Sequence, residues 1–433
     1  MFLRLSPAAF VVAWHLLSSL LVLSTSGSNL KPVLAQNSDR DVILFWNNEA
    51  LDTVRELSIG AFDAARTYAM VNAAMFDAII GSDHFLNLNP AVVDASPKFR
   101  ISRTNPVKKA AANAAAHAVL SNLFPDRATT YDSIKQQIVD SLRNNYSNSK
   151  AAAFGADVGA KVYSIRLSDG TIPKQTLAGG TGSTVFRADF GSASFADMEE
   201  FIIADASVYK SQGPPATNSR EYLAAHTEVR LLDDASYENQ EYDEIFRFWK
   251  AGGGTVRPPG EWIKTAIVLA DDTELRLLQT ATLFVTLSLG LADTAIAVAS
   301  NKEEYQYWRP ATAILEANDD GNPDTVQNDT WEPRNGSIGG SPEHTSGQSA
   351  FAGCASTILA EFFRSNEIEF TIEGDNAIAG PRTYSSFSEA AAEAGRSRIF
   401  SGIHFEFSNQ AGQQSERDVA REVLKWQEPF VFF

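Results

Sequence analysis

Three blocks between Asn301 and Phe407 hold the residues best suited to chemistry: NKEEYQYWRPATAI, GGSPEHTSGQSAF and GRSRIFSGIHF. In order they supply Lys302, Arg309, Ser346, Gly347, Arg398 and His404. The set is three cations, a hydroxyl, a glycine amide and an imidazole. No carboxylate is counted among them, so a divalent cation would lack the hard anionic ligands it needs. A tetrahedral oxyanion of high negative charge is what such a set can hold.

The spacing says how the backbone must present these residues. Lys302 and Arg309 are seven apart, about 700° around an α-helix, so a helix ending at the Arg309–Pro310 junction would put both on one face. Ser346-Gly347 reads as a loop-to-helix junction, where free N–H groups and the positive end of the helix dipole can meet an anion. A plain serine N-cap accounts for the same pair. Arg398 and His404 are six apart, about 600°, and would diverge on one continuous helix. Gly402 between them can end the first helix and re-aim His404. Taken singly, the blocks also read as solvated surface cations, a helix cap and a core histidine beside Phe405.

The elements that must carry these blocks read as helices. Apolar residues at Phe62, Ala65, Ala69, Phe76 and Ile80 fall near a 3.6-residue period in a helical stretch from Val42 to Ile80. A second, alanine-rich helix is expected from about Pro106 to Leu123, and further helices over 127–145, 150–168, 219–233 and 237–251. Residues 280–300 carry a single charge, Asp293, and are long enough to span a bilayer. Asp293 and the threonines and serines around it favour instead the buried central helix of a bundle. Asp293 could orient Arg398 or Lys302, or serve only the core. No β pattern stands out, so the fold class is all-α, in two bundle-like halves: an N-terminal half over 36–168 and a C-terminal half over 221–433 that carries the site. Between them, 169–220 is rich in glycine, proline and small polar residues, an irregular excursion that is either a lid or a plain connection.

Composition narrows the partners. The 433-residue chain has 36 Lys+Arg against 53 Asp+Glu, a formal net charge of −17. Such a surface repels nucleic acid and anionic lipid, and neither is expected as a partner. Cations gathered at one site in so acidic a protein point to an anion held there. Arg4, the apolar run from Ala8 to Leu23 and the small residues before Gln36 describe a signal peptide over 1–35. The expected location is therefore secreted or periplasmic, with no membrane attachment after cleavage. The single cysteine, Cys354, sits in an Ala/Ser-rich helical run and reads as a small buried residue.

The order Lys-x6-Arg-Pro, Ser-Gly, Ser-Arg-x5-His resembles the phosphatidic acid phosphatase type 2-like superfamily that includes the vanadium-dependent haloperoxidases. The wording YQYWRPATAI, SSFSEAAAEAGRSRIFSGIHF and LADTAIA is similar to the bacterial haloperoxidase branch, and YAMVNAAMFDAI, NAAAHAVLSNLFP and REYLAAHTEVR extend the likeness over essentially the whole mature chain. The resemblance implies an all-helical fold and a vanadate cofactor, with phosphate able to occupy the same site. It implies His404 as the vanadium ligand, Lys302, Arg309 and Arg398 as cations on the equatorial oxygens, and Ser346 and the Gly347 amide as hydrogen-bond donors to them. The implied activity is oxidation of halide by hydrogen peroxide to halogenate small organic substrates; a homodimer is compatible with it.

Two positions depart from the family pattern. Where the family has Ser-Gly-His, this chain has Ser346-Gly347-Gln348, and glutamine cannot shuttle a proton near neutral pH. His344, four residues upstream, is the alternative acid–base. Ser341 stands where the family often has an aromatic or histidine, and reads here as a loop residue. Two other functions fit the same cage: a phosphatase with His404 as nucleophile, and a non-catalytic phosphate- or vanadate-binding homologue.

Overall fold

The computed structural model describes residues 41–82, 89–94, 104–142, 146–232, 239–375 and 380–427; the signal-peptide expectation over 1–35 lies outside these. The helices are α1 (Asp41–Glu56), α2 (Ala61–Gly81), α3 (Asn105–Leu123), α4 (Ala128–Ser141), α5 (Tyr146–Arg166), α6 (Arg220–Leu232), α7 (Gln240–Phe248), α8 (Arg257–Asp272), α9 (Leu277–Tyr305), α10 (Pro310–Leu315), α11 (Gly347–Phe362), α12 (Phe387–Phe400) and α13 (Glu406–Gln427). The fold is all-α but not free of strand. Strands β1 (Phe370–Ile372) and β2 (Arg382–Tyr384) pair antiparallel with Thr371 opposite Thr383. Three residues per strand are too few for a periodicity of two to register in the sequence.

Helix α9 organises the molecule. Its middle is apolar on every face, and Leu283 through Ala299 are buried throughout. Neighbours on all sides are what make that composition stable in water. Helices α2, α8, α11 and α13 pack against it. Small residues set the spacing: a Cβ on Gly290 would come within 2.5 Å of Ile358 on α11, and one on Gly353 within 2.5 Å of the Gln413 carbonyl on α13. Close packing of α11 against α9 and α13 fixes where the N-terminus of α11 points. Cys354 is buried in this contact, as its surroundings in the sequence suggested.

Asp293 does not approach Arg398 or Lys302 through any hydrogen bond. Its carboxylate accepts three successive backbone N–H groups, Phe201 (2.7 Å), Ile202 (3.0 Å) and Ile203 (3.1 Å). Asp293 therefore serves the core, and in a specific way, by fastening the irregular 169–220 stretch to the central helix. Asp77 on α2 makes the same three-fold grip on Ala91, Val92 and Val93 (2.6, 3.0 and 2.8 Å).

That stretch is tied down further along. Ser211 N and Oγ both donate to Asn301 Oδ1 at 3.0 Å, and Tyr305 Oη donates to Ser211 O at 2.8 Å. Phe186 N donates to Gln306 O (2.7 Å) and Trp308 N to Thr184 O (2.9 Å), flanking an isolated bridge between Val185 and Tyr307.

Candidate functional site

Helix α9 ends earlier than the Arg309–Pro310 junction suggested. Gln306 adopts a left-handed conformation (φ 41°) and closes the helix with its N–H on Lys302 O. Tyr307 and Trp308 then run against the excursion, with Tyr307 bridged to Val185, and Arg309 is the N-cap of α10. Lys302 and Arg309 are therefore not on one helical face, and the angular argument does not hold. The pairing of 306–308 with 184–186, which a local period cannot reveal, brings the two cations together instead.

Arg309 is buried and held at every nitrogen. Nε donates to Ser341 O (2.8 Å), Nη1 to Ile403 O (2.6 Å), and Nη2 to Ser341 Oγ (3.2 Å) and Pro342 O (3.5 Å). Ser341 is thus part of the clamp on Arg309 and more than a loop residue. Gly339 has φ 91°, and a Cβ there would lie 2.9 Å from the Arg309 guanidinium carbon, so glycine is needed for the loop to lie across the side chain.

His404 sits between Arg309 and Glu343. Its Nε2 is 3.0 Å from Arg309 Nη1, and its Nδ1 is 3.0 Å from Glu343 Oε1. A guanidinium can only donate, so Nε2 accepts and Nδ1 carries the hydrogen. The imidazole thus presents an Nε2 lone pair on the side of the cations. Burial, and after it Arg309, Lys302 and Arg398, hold its proton affinity well below the ordinary histidine value, so the ring is neutral at pH 7. Gly402 (φ 71°) breaks the chain between α12 and α13 and re-aims His404, as its position in the motif predicts.

Glu343 was not counted among the site residues, and the expectation of a cage without a carboxylate is corrected here. The residue is fully buried, and its Oε1 accepts from both His404 Nδ1 and Phe405 N (2.9 Å). Burial lifts its carboxyl to about 7, against the lowering effects of Phe405 N–H, Arg309 and Lys302. The one available signal was its place in SPEHTSGQ, beside the Ser346-Gly347 junction of the motif. It does not make a cation site, because among the described residues no group of three or more His, Cys, Asp and Glu could hold a metal ion.

The remaining donors are under-used. Lys302 Nζ, buried, makes one hydrogen bond among the described residues, to Pro342 O at 2.5 Å. Burial and Arg309 push its ammonium well below its usual range. Among the described residues Arg398 reaches only Trp249 O, at 3.5 Å, and burial followed by the Arg309 charge lowers it to about 10. Ser346 caps α11: its Oγ accepts from Ser349 Oγ (2.8 Å) and Ser349 N (3.4 Å), which leaves its own hydrogen to donate. Among the described residues the Gly347 N–H has no backbone acceptor. Nothing in the fold demands glycine there, since an added Cβ would meet only Val298 at 3.7 Å. Gln348 is 7 % exposed and its side chain forms no hydrogen bond among the described residues.

His344 is engaged elsewhere. Its Nε2 lies 2.8 Å from Ser211 Oγ and 3.2 Å from Gln212 O, both on the excursion, and its ring packs edge-on to Tyr305. Ser211 donates to Asn301, so Nε2 carries the hydrogen and Nδ1 is a bare, buried acceptor. Burial and then Lys302 lower it to about 4. It also lines a pocket of about 610 Å³ with Ser211, Gln212, Phe407 and Gln414.

A cage with spare cationic and N–H donors around a neutral imidazole fits an oxyanion better than a bare metal ion. Residues 282–431 match the family model described as the VCPO second helical-bundle domain. The chain has the vanadium haloperoxidase fold. It is similar to the structure of the first bacterial vanadium-dependent iodoperoxidase, with TM-score 0.73 and 22% identity over 89% of this chain and 96% of that one. It is also similar to a bacterial vanadium-dependent chloroperoxidase in an apo-type structure (TM-score 0.70, 15% identity, 86% and 95% coverage) and a holo-type structure (0.68, 16%, 94% and 96%). No curated protein matches the chain in sequence. The haloperoxidase resemblance and the all-α class expected from the sequence both hold.

Proposed function

We propose that this is a secreted vanadate-dependent haloperoxidase that uses hydrogen peroxide to oxidise halide and so halogenates small organic molecules. The observation that carries the reading is His404, held by Glu343 with its Nε2 lone pair turned toward Arg309. His404 Nε2 would ligate the vanadium, Lys302, Arg309 and Arg398 would neutralise its oxygens, and Ser346 Oγ and Gly347 N would donate hydrogen bonds to them. When bound, vanadate supplies a Lewis acid that activates hydrogen peroxide toward halide without changing oxidation state.

The residues divide the remaining work. Glu343 fixes the imidazole tautomer. Arg309, clamped by Ser341, Pro342 and Ile403, holds position, while Lys302 and Arg398 have donors to give. Gln348 can orient a peroxide by hydrogen bonds but cannot accept and return its proton, and loss of a general base typically costs about 10²–10⁴-fold in rate. His344, with Nε2 committed to Ser211 and Gln212, stands as the other candidate proton acceptor through Nδ1. The secreted location rests on the composition of residues 1–35.

The test is halogenation of monochlorodimedone by vanadate-loaded protein with peroxide and bromide or iodide, comparing the natural chain with Gln348→His. Slow turnover that rises by at least tenfold in the variant is expected. Vanadate binding lost in His404→Ala is expected alongside. If both forms bind vanadate tightly and neither halogenates at any pH, the reading fails and oxyanion binding is the function.

A further inference from the structure

Helix α12 carries Arg398 and also Glu393, a charged residue of SSFSEAAAEAGRSRIFSGIHF that the cage does not use. Five residues apart, the two lie about 140° around the helix from one another and ~7.5 Å apart along it, so they face different neighbours. They meet the same residue nonetheless. Glu393 Oε1 accepts from the Trp249 indole Nε1 at 2.9 Å, and Arg398 Nη1 donates to the Trp249 carbonyl at 3.5 Å. One helix thus holds Trp249 at both ends, by the ring and by the backbone.

The hold on the ring is the firm one. Glu393 Oε1 also accepts from Tyr384 Oη (2.7 Å), and Oε2 accepts from Arg382 Nη2 (2.6 Å), both on β2. A carboxylate with three donors from two other elements, its side chain 17 % exposed, has little freedom left. Trp249 is itself buried, with its ring 6.2 Å from that of Trp262, 5.3 Å from Phe248 and 6.1 Å from Tyr384. Strands of three residues do not stand alone in water, and bringing Arg382 and Tyr384 to Glu393 gives the hairpin a task. The hold on the backbone is loose. Trp249 is the C-cap of α7, so its carbonyl lies at the negative end of that helix, where a cation is favoured. That carbonyl also takes Ala251 N at 2.8 Å, and its long bond to Arg398 directs the guanidinium without tying up its other N–H groups.

We propose that Glu393 is a positioning residue for the anion site: by fixing Trp249 it places the carbonyl that sets the direction of Arg398. The inference rests on Arg398 being one of the cage cations, and it extends the support of the cage to the β1–β2 hairpin. Arg309 is held by Ser341, Pro342 and Ile403, whereas among the described residues Arg398 has the Trp249 carbonyl alone. A long side chain pointed in advance loses less freedom when the anion arrives, so the affinity of the cage depends on that single contact.

Calorimetric titration of vanadate and of phosphate into the natural chain and its variants tests this, with Tm recorded for each. Glu393→Ala should weaken both anions about tenfold, the low end of what losing an outer partner costs. In the Arg398→Ala background the same change should cost less than about twofold, because the effect passes through that side chain. Trp249→Phe, which removes the indole N–H but keeps a ring and the carbonyl, should repeat the pattern and serves if Glu393→Ala does not fold. Tyr384→Phe removes a bond to the same carboxylate and none to Trp249, so it should lower Tm and leave both affinities unchanged. Equal losses in the two Arg398 backgrounds, no loss on cutting the Glu393–Trp249 bond, or a Tyr384→Phe loss as large as that of Glu393→Ala would overturn the proposal. A natural chain that binds neither anion would overturn the cage itself and this inference with it.

Discussion

Glu343→Gln separates two things the buried carboxylate does: it holds His404, and it sets the charge of the cage. Glutamine keeps the volume and one accepting oxygen but removes the charge that fixes the Nδ1–H tautomer across 3.0 Å. Disturbing the outer partner of a ligating histidine typically costs about 10–100-fold in affinity for what the histidine binds. The lost charge works the other way. The 3.0 Å bond and the width of an imidazole put Glu343 ~7 Å from an anion at Nε2, worth about 2 kcal/mol of repulsion at an effective dielectric of ~20, or roughly 30-fold. Phosphate, held by charge and hydrogen bonds alone, gains from the second effect and does not suffer the first. Vanadate, which needs the imidazole, experiences both. The observable is therefore the ratio of the two affinities, from which the shared electrostatic gain largely cancels. Calorimetric titration of each anion into natural and variant protein at pH 8, above the value of about 7 at which Glu343 ionises, gives that ratio. The vanadate preference should fall by about 10–100-fold while phosphate tightens. Equal changes in both affinities, in either direction, would refute the role assigned to the Glu343–His404 bond.

Arg398→Ala and Arg309→Ala should part company in the same titrations. Arg398 has one long contact, so its loss should weaken anion binding at least tenfold and move Tm little; Arg309 anchors Ser341, Pro342 and Ile403, so its loss should lower Tm by several degrees as well, read by calorimetry. Stability should rise as pH falls from about 7 toward 4.5, because the carboxyls that burial raises, Glu343 among them, outweigh His344 and His404, which burial lowers and which act in the opposite sense. Burial raises Asp77 and Glu261 to about 7, so the folded chain binds those protons more tightly than the unfolded one, and the native state gains on acidification through that window. The urea midpoint should be higher at pH 5 than at pH 7.5, by at least about 1 kcal/mol in stability; a lower midpoint at pH 5 would count against it. Below the ordinary carboxylate range the trend reverses, because Asp375, lowered by Arg55 and Lys264 despite its burial, loses its stabilising charge there.

The helices were legible because their cause is local. The 3.6-residue period and the alanine runs placed α3 and α9 within a few residues of their observed ends, the single stretch expected from Val42 to Ile80 proved to be α1 and α2, and Gly402 announced the break before His404. What escaped the sequence was of longer range. The convergence of Lys302 and Arg309 depends on a pairing with residues more than a hundred positions upstream. Glu343 escaped because a single glutamate in a loop carries no period and no spacing, and only the folded chain shows that it meets an imidazole. His344 was read as a candidate partner of the cage, yet Ser211, from a stretch with no pattern of its own, claims its Nε2.

Asp293, Asn301, Tyr305 and Gln306 lie in order along fourteen residues that also include Lys302, and together they grip the 169–220 stretch at three places: Phe201–Ile203, Ser211 and Phe186. That stretch therefore works as a splint on the last turns of α9. Its exposed tip at 181–183 makes none of these bonds to α9, while its roots make all of them. Diversification of the protein's surface and preservation of its anion site are thus assigned to different parts of a single segment.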